Sequence, residues 1–575
     1  MTEPHGSRPE PESAGRDYAG GKPGPVYRRG TAVDEEVRLG SLLSAADRSE
    51  PAALADLVLR LRAGGLMAPG APVTAPLDAL VGGIVYDSRL ARPGSLFVAV
   101  PGVHADGHAF VVAAAGAGAV AAVVERPIPD ALLPQLVVRD SRLALAAAAA
   151  WWFGDPSLEL GIVGITGTDG KTTTSFLAAA ILEAAGISSG LSTTAGLKVG
   201  SERFANPEHV TTPQAPELQR LLRAMVVAGN SAAVVETTSH GLALGRVAEV
   251  AYDVAAFTNL THEHLELHGT FENYRAAKLS LFSGLGAPRS AKALARAWPR
   301  SAVVNLDDAA APYFLAAARE AGARIVTYGR NLAADVRAAA VDEDARRLHV
   351  DVATPRWRGA VDLRLAGSFN VHNSLAAVAI AEALELPREA VVAGLQGVAG
   401  VPGRMERVDL GQPFGVIVDY AHSPASLEKV LDILGPVARE NGGGMIVVFG
   451  SAGERDVAKR PMMGRVTGER CRLVVVADED PRGEDPGTIN DQIAKGAESV
   501  GRIRGRDLLC IADRREAIVS AFRHASAGDI VLLAGKGHEQ SIIYADGPHP
   551  WDERAEAVAA LVRMGFGTGK TSHRG

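Results

Sequence analysis

Short runs rich in valine, isoleucine and alanine alternate with alanine-rich stretches along most of this chain. The runs lie at residues 83–86, 95–100, 119–125, 136–139, 161–165, 232–236, 254–259, 302–305, 324–328, 416–420, 445–450, 473–477 and 530–534. Helical patterns occupy residues 53–62, 141–153, 175–185 and 373–384. Continuous apolar strands are typical of parallel sheets that are buried on both faces. The alternation therefore predicts an α/β protein.

Two breaks, Gly-Asp-Pro at 154–156 and Val-Pro-Gly at 401–403, divide this pattern into three blocks. The segment before them is different, because residues 1–30 contain eleven Pro or Gly and almost no large aliphatic side chains. Such a composition cannot bury enough apolar surface to offset its ordering entropy. We expect deletion of residues 1–45 to leave stability nearly unchanged. The predicted organisation is a disordered tail at 1–50, domains at 51–156, 157–400 and 401–565, and a flexible tail at 566–575.

The composition indicates which binding partners and which cellular compartment to expect. The 575 residues suit three or four domains, and 47% hydrophobic with 22% charged residues is ordinary for a globular protein. A net charge of −7 gives no general affinity for nucleic acid or anionic membranes. Two cysteines, Cys471 and Cys510, cannot form a disulfide framework, and the longest uncharged apolar stretch, 109–124, is short for a membrane span. We expect a cytoplasmic protein without nucleic-acid partners or membrane insertion.

The strongest local signal is Gly-Ile-Thr-Gly-Thr-Asp-Gly-Lys-Thr-Thr-Thr at residues 164–174, between an apolar run and a helical pattern. A glycine-rich turn in this context points backbone N–H groups at an anion, and the helix N-terminus adds partial positive charge. Lys171 is suited to bind terminal phosphates, and the Thr172 hydroxyl is suited to reach Mg²⁺. Although Ile165 replaces the first glycine of the strict pattern, the context predicts nucleotide binding.

Two further segments place polar residues at the ends of apolar runs. Glu236 ends the run 232–236, and His262, His264 and His268 follow the run 254–259. The carboxyl ends of parallel strands are where α/β sheets bind ligands. Histidines with intervening acids suggest zinc, but the His-Glu-x-x-His order is absent. Oxygen-rich Mg²⁺ coordination suits the phosphate loop better.

Together these motifs resemble the Mur ligases, ATP-dependent amide-forming enzymes of peptidoglycan precursor synthesis, and are most similar to the MurE group. The resemblance runs from about residue 83 to 561. It implies a central phosphate-loop parallel sheet flanked by a smaller N-terminal α/β domain and a Rossmann-like C-terminal α/β domain. These three domains would bind the UDP-linked substrate, ATP and an amino acid, with ATP loop residues Gly167, Thr168, Asp169, Gly170, Lys171, Thr172 and Thr173.

The resemblance also assigns individual residues. Asp169 stands where the MurE group usually has Asn, and Glu263 replaces the usual Asp before His264. Magnesium ligands would be Thr172, Glu236, His264 and Lys278, the last as N6-carboxylysine formed with CO₂. Further ATP contacts would be Asn373, Arg404, Asp419 and His422, with Lys171, Lys278 and Arg404 catalytic. The UDP-linked substrate would contact Ser88, His104, Ala105, Thr211, Thr212, Thr238 and Arg246. The amino acid would contact Arg455, Glu479, Asp480, Pro481, Arg482, Gly535 and Glu539.

The implied reaction is ATP-dependent ligation of a diamino acid to UDP-MurNAc-L-Ala-D-Glu by a monomer with Mg²⁺. The choice of amine depends on residues 478–482, Asp-Glu-Asp-Pro-Arg. Arg482 favours a substrate with a distal carboxylate, meso-diaminopimelate, because a guanidinium holds a carboxylate in two hydrogen bonds. Asp480, in place of the usual Asn, favours L-lysine or L-ornithine unless it turns toward Arg455 or solvent. Two alternatives belong to other functional classes: a non-catalytic, nucleotide-dependent protein on a Mur scaffold, and a folylpolyglutamate synthase.

Overall fold

The computed structural model describes residues 32–70, 78–102, 105–207, 210–261, 265–287, 298–343, 347–365 and 367–567. Three α/β units, each built on its own main sheet, confirm the predicted fold class. Two strands begin and end at the residues that the sequence predicted, 232–236 and 530–534. None of the described helices combines the length and the apolar character needed to cross a membrane.

The first unit is a four-stranded parallel sheet in the order β3-β4-β5-β6. The elements up to its end are α1 (Ala32–Ser44), β1 (Ala52–Ala53), α2 (Leu54–Ala63), β2 (Leu80–Val81), β3 (Gly83–Val85), β4 (Ser95–Val98), α3 (Val111–Gly116), β5 (Ala121–Val124), β6 (Gln135–Val137) and α4 (Ser141–Trp152). Helices α2 and α4 cover one face of the sheet through Leu57, Leu61 and Leu145.

The central unit holds an eleven-stranded sheet in the order β10-β9-β8-β11-β7-β12-β13-β14-β15-β16-β17. Its first elements are β7 (Gly161–Thr166), α5 (Lys171–Ala184), β8 (Ser189–Ser192), β9 (Leu197–Val199), β10 (Glu202–Phe204), α6 (Ala215–Val227), β11 (Ala232–Glu236), α7 (Ser239–Ala243), β12 (Val254–Phe257), α8 (Leu265–His268) and α9 (Phe271–Ser283). Then come β13 (Ser301–Asn305), α10 (Ala311–Glu320), β14 (Arg324–Gly329), β15 (Val336–Glu343), β16 (Leu348–Ala353), β17 (Arg358–Leu363), α11 (Phe369–Ala383) and α12 (Arg388–Gly397).

Strand β7 explains why the central strands are apolar throughout. Val163 and Ile165 point into the core that α5 and α11 cover, whereas Ile162 points into the opposite core with α6, α9 and α10. Strands β8 and β11 on one side and β12 to β15 on the other are parallel to it, and only the outer strands are antiparallel. The carboxyl ends of β7, β11 and β12 consequently meet at one edge, where the phosphate loop begins.

The third unit is a six-stranded sheet in the order β18-β19-β23-β20-β21-β22, antiparallel only at β18. Its elements are β18 (Glu406–Arg407), β19 (Gly415–Asp419), α13 (Pro424–Glu440), β20 (Met445–Phe449), α14 (Lys459–Arg470), β21 (Leu473–Val476), α15 (Pro486–Glu498), β22 (Leu508–Cys510), α16 (Arg514–His524), β23 (Ile530–Ala534), β24 (Ser541–Tyr544), β25 (Gly547–Pro550) and α17 (Glu553–Arg563). The Phe566 ring packs edge-on against the Phe414 ring, with 6.2 Å between the ring centroids. The predicted flexible tail 566–575 therefore begins too early in the sequence.

The predicted disordered tail 1–50 is also too long, and deletion of residues 1–45 would remove α1 (Ala32–Ser44), so we expect that deletion to lower stability rather than leave it nearly unchanged. Residues 1–31 lie outside the described residues, but α1 packs on the central unit, where Leu39 is 6% exposed within the core beside α6. Asp47 accepts a hydrogen bond from Arg220 Nε at 2.7 Å, and the Arg48 guanidinium lies 5.5 Å from the Trp152 ring centroid. The segment therefore connects the central unit to α4 of the first unit.

Replacing Leu39 by Asp is expected to lower the melting temperature by several degrees, because it places a charge where a leucine contributes about 1.5–3 kcal/mol of burial. The matched control is Val37→Asp on the same helix, where the side chain is 67% exposed and no loss is expected. Calorimetry of both variants measures the difference. Equal melting temperatures for the two variants would contradict the packing of α1.

Candidate active site

The phosphate loop lies at the carboxyl end of β7. Helix α5 begins at Lys171, four residues before the predicted start, so its N-terminal N–H groups open onto the loop. Gly170 has φ +81°, and a Cβ there would overlap the Asn373 side-chain amide oxygen. The predicted ATP residue Asn373 on α11 therefore lies against the loop. The helix dipole and the N-terminal N–H groups of α5 make this arrangement suited to bind an anion.

Polar side chains extend the loop toward the next strand. Lys171 Nζ donates to the Thr168 carbonyl at 2.8 Å, which holds the lysine at the loop. Thr172 Oγ1 donates to Glu236 Oε2 at 2.9 Å, and Glu236 ends β11 with its side chain 2% exposed. Thr194 also donates to the same carboxylate oxygen through its backbone N–H at 3.0 Å. Buried hydroxyl and carboxylate oxygens at this position are the donors that Mg²⁺ prefers.

Lys278 reaches the same loop from α9. Its side chain is 1% exposed, and Nζ donates to the Gly167 carbonyl at 2.7 Å and lies 4.5 Å from the Tyr274 ring centroid. The Tyr274 hydroxyl is 3.0 Å from Thr168 Oγ1. His264 lies outside the described residues, and the described ranges contain no group of three or more His, Cys, Asp or Glu side chains arranged to hold a metal.

The third unit closes the loop from the other side. Arg404 Nη2 is 3.5 Å from Thr172 Oγ1, and its guanidinium lies 4.9 Å from the Tyr420 ring centroid. Asp419 accepts hydrogen bonds from the backbone N–H groups of Met405 and Ala421, both at 2.8 Å. Burial raises the pKa of the Asp419 carboxyl, although the Arg404 guanidinium acts in the opposite direction.

His422 completes the predicted ATP contacts in this unit. Its Nδ1 lies 2.8 Å from the Tyr420 carbonyl, and its ring centroid is 4.6 Å from that of Tyr420. Lys459 Nζ donates to the His422 carbonyl at 3.0 Å, which ties this segment to α14. The segment after β19 therefore lies between the phosphate loop and the predicted amino-acid pocket.

The predicted amino-acid pocket is centred on a buried lysine. Lys536 Nζ, with a side chain 0% exposed, pairs with Asp480 Oδ1 at 2.7 Å and with Glu539 Oε2 at 2.6 Å. Asp480 also accepts from the backbone N–H of Ile543 at 3.0 Å. Asp480 therefore turns neither toward Arg455 nor toward solvent, the two orientations that the sequence suggested. Its charge is compensated inside the protein by Lys536.

Glu479 and Arg482 flank this pair. Burial raises the pKa of the Glu479 carboxyl to about 7, and Gly535 fits closely, since a Cβ there would lie 2.6 Å from Glu479 Oε2. Arg482 adopts φ +55°, and its Nε is buried without a hydrogen-bond partner among the described residues. Pro481 is buried between these two residues, whereas Arg455 is exposed in the loop before α14. The loop that carries Arg455 also lies beside this segment, since the Gly453 N–H donates to the Asp480 carbonyl at 2.8 Å.

A small cleft lies between the first and central units and is lined by Tyr86, Arg142, Gln214, Leu244 and Arg246 among others. Thr212 hydroxyl donates to the Glu236 carbonyl at 3.0 Å and is 3.0 Å from the Thr238 hydroxyl. Thr211 Oγ1 accepts from Thr194 Oγ1 at 2.9 Å.

Arg246 anchors this cleft to the central unit, where its Nη1 donates to the Thr212 carbonyl at 2.8 Å. Burial, and then the neighbouring Arg142 guanidinium, lowers the pKa of Arg246. Ser88 begins a 3₁₀ turn after β3, and the Ala105 carbonyl accepts from Gly102 N–H at 2.9 Å. His104 lies outside the described residues. Arg142 and Arg246 both line the cleft, and their positive charges make it suited to a negatively charged group.

Three protein-family models match this chain, one for each of its three units. Family models described as Mur ligase family, catalytic domain, Mur ligase middle domain, and Mur ligase, glutamate ligase domain match residues 80–151, 165–381 and 403–537. The UDP-N-acetylmuramyl-tripeptide synthetase of Roseiflexus sp. (strain RS-1) is 50% identical over 498 residues, which cover 86% of this chain and 96% of that protein. The chain belongs to the Mur ligase family.

Two further comparisons agree. A Geobacter metallireducens protein named UDP-N-acetylmuramoyl-L-alanyl-D-glutamate–2,6-diaminopimelate ligase is 40% identical to this Mur ligase over 492 residues, covering 83% and 94% of the two chains. A solved structure of a ligase with that same name superposes with a TM-score of 0.60 at 29% identity, covering 90% of this chain and all of the other. As a Mur ligase, the protein is an ATP-dependent enzyme that forms an amide bond.

Several site residues were missed by the sequence analysis. Arg142 lies on α4, and Lys429, which pairs with Asp169 of the loop at 2.6 Å, lies on α13; neither belongs to a local motif. Lys536 lies between Gly535 and Glu539, but only those two residues were predicted to bind the amino acid. The available signal was its position, since Lys536 lies two residues after the apolar run 530–534 and three residues before Glu539, with which it pairs.

Proposed function

We propose that this Mur ligase joins meso-diaminopimelate to the D-Glu γ-carboxylate of UDP-MurNAc-L-Ala-D-Glu in peptidoglycan precursor synthesis. The name of the Geobacter relative states ligation of diaminopimelate, and the name of the Roseiflexus relative states synthesis of a UDP-N-acetylmuramyl tripeptide. The proposal retains the monomeric, cytoplasmic enzyme that the sequence predicts. It also gives the three units one substrate each, the nucleotide-linked dipeptide, ATP and the diamino acid.

The Lys536–Asp480 ion pair is the observation that favours diaminopimelate. A free Asp480 carboxylate would attract the distal ammonium of lysine or ornithine and repel a distal carboxylate. Because Lys536 compensates that charge at 2.7 Å, Arg482 is left to bind a distal carboxylate, and its buried Nε has an unused donor. Arg482 follows Asp480 by two residues, and a guanidinium there suits a substrate that carries both an ammonium and a carboxylate at its far end.

ATP activates the γ-carboxylate in the proposed first step. A carboxylate oxygen attacks the terminal phosphorus, and ADP leaves as an acyl phosphate forms. The amine then attacks the acyl carbon, and inorganic phosphate leaves as the amide forms. Lys171, the N-terminus of α5 and Arg404 converge on the loop and stabilise the charge of the transferring phosphoryl group.

Mg²⁺ fits the oxygen donors at the loop. Thr172 and Glu236 would hold one ion, together with His264 and a carbamylated Lys278, as the resemblance implies. The 2.9 Å hydroxyl–carboxylate contact supports this pairing, and an unmodified lysine ammonium would repel a cation. Bound Mg²⁺ would supply positive charge to the phosphates, while Glu236 and Thr172 fix its place.

The cleft between the first and central units would hold the UDP-linked substrate. We assign Ser88, His104 and Ala105 to its nucleotide end. Thr211, Thr212, Thr238 and Arg246 lie toward Glu236, and we assign them to the muramoyl-dipeptide end. The paired Arg142 and Arg246 guanidinium groups would bind an anionic group of this substrate.

Replacing Arg482 by Ala tests the choice of amine. We expect the KM for meso-diaminopimelate to rise by one to two orders of magnitude, equivalent to about 1.5–3 kcal/mol for hydrogen bonds to a charged group. The KM for L-lysine should change little, since lysine offers no distal carboxylate. Arg465→Ala, at an exposed position on α14, is the matched control. An unchanged KM for diaminopimelate would favour the lysine or ornithine alternative.

A further inference from the structure

The ATP loop of this chain carries an acidic side chain, Asp169, whose backbone is fixed on both sides. Its N–H donates to Asn259 Oδ1 at 2.9 Å. Its carbonyl accepts from Thr258 Oγ1 at 2.7 Å and from Asn259 Nδ2 at 3.1 Å. The loop conformation is therefore held by β12 and the residues after it, and the carboxylate is free to make its own contact outside the loop.

That contact is with the third unit. Asp169 Oδ2 pairs with Lys429 Nζ at 2.6 Å across 260 residues of sequence. Burial acts to raise the pKa of Asp169, but Lys429, with smaller contributions from Lys171 and Arg404, holds it below its ordinary value. Asp169 is consequently an anion at neutral pH.

An anion at this position opposes the function of the loop. The loop and Lys171 would receive a triphosphate, and a carboxylate one residue from Gly170 would repel it. An Asn at the same position could make the same backbone contacts without the charge. A compensating cation on the facing unit removes the conflict, and Lys429 is that cation.

We propose that Lys429 is a positioning residue for ATP, which acts by cancelling the negative charge of Asp169 at the phosphate loop. The inference rests on the proposed function, namely that residues 167–173 bind ATP. It has a structural consequence, because Lys429 belongs to α13 of the third unit. The loop has its favourable charge only while the third unit lies against it, so ATP affinity depends on the arrangement of the two units.

The variant Lys429→Gln is expected to raise the KM for ATP about three- to tenfold at low ionic strength, the effect of one partly exposed charge. The kcat and the KM for diaminopimelate should change by less than about twofold. The increase should shrink in high salt, where exposed charges are screened. Both side chains are half-exposed, so the variant should keep its fold, and Lys495→Gln at an exposed position on α15 is the matched control.

The second variant separates charge compensation from a mechanical link between units. Asp169→Asn removes the repulsion, so alone it should not raise the KM for ATP. Combined with Lys429→Gln it should restore the wild-type KM. The proposal is overturned if Asp169→Asn raises the KM as Lys429→Gln does, if the double variant is not restored, or if Lys429→Gln has no effect. A failure of the ATP assignment itself would show separately, as near-normal turnover in Lys171→Ala.

Discussion

The Lys171→Ala variant is expected to lose ADP formation by about 100- to 1,000-fold, the loss typical of removing one donor that stabilises a transferring oxyanion. Lys171 opens α5, and its Nζ contact is to the Thr168 carbonyl of the loop rather than to a core residue. The fold should therefore survive the change. ADP release in a coupled assay gives the rate, and circular dichroism confirms folding.

Lys495→Ala, which alters an exposed lysine of the third unit, controls for the loss of one positive charge. Its rate should equal that of the wild-type enzyme. If Lys171→Ala turns over at a near-normal rate, residues 167–173 are not the ATP site, and the proposed chemistry loses its first step.

The second large effect is expected for Lys278→Ala, which should lose about 10- to 100-fold in activity, as metal-site supporting residues do. A small carboxylate such as acetate should restore part of the activity, because an oxygen anion is required there whatever carries it. Mass spectrometry of the native protein should find one CO₂ on this lysine. The measurement is ADP release with and without acetate.

Lys278 is 1% exposed, so its truncation leaves a cavity that could disturb the loop. The variant Lys278→Met fills most of that volume, so it separates the loss of the carbamate from the effect of the cavity. This variant should fold normally yet remain inactive, and acetate should not restore it. Full activity of Lys278→Met without added acid would show that the lysine supplies packing alone and would exclude the carbamate.

The sequence predicted the strands that are buried on both faces better than it predicted the rest of the fold. Residues 232–236 were found to the residue because every side chain of β11 is buried. The start of α5 was missed because three threonines follow Lys171, and threonine has low helix propensity. The antiparallel strands β16 and β17 alternate polar and apolar residues and were not recognised.

Site residues could be predicted where they belong to a continuous sequence motif. They could not be predicted where they are brought together by contacts between distant parts of the chain. Glu236 could be placed because it ends a recognisable strand. The compensation of Asp480 could not be deduced, since Lys536 lies 56 residues away and nothing local shows which acid it pairs with. Helix α1 was missed because its apolar side chains, such as Leu39, become buried only against the central unit, which the local sequence does not show.

The central claim is tested most directly by ADP release from ATP and UDP-MurNAc-L-Ala-D-Glu with one amino acid at a time. The account predicts turnover with meso-diaminopimelate at least tenfold faster than with L-lysine or L-ornithine at equal, subsaturating concentration, about 1.4 kcal/mol of discrimination. Turnover that is faster with lysine or ornithine, or no ADP release with any of the three, would contradict it.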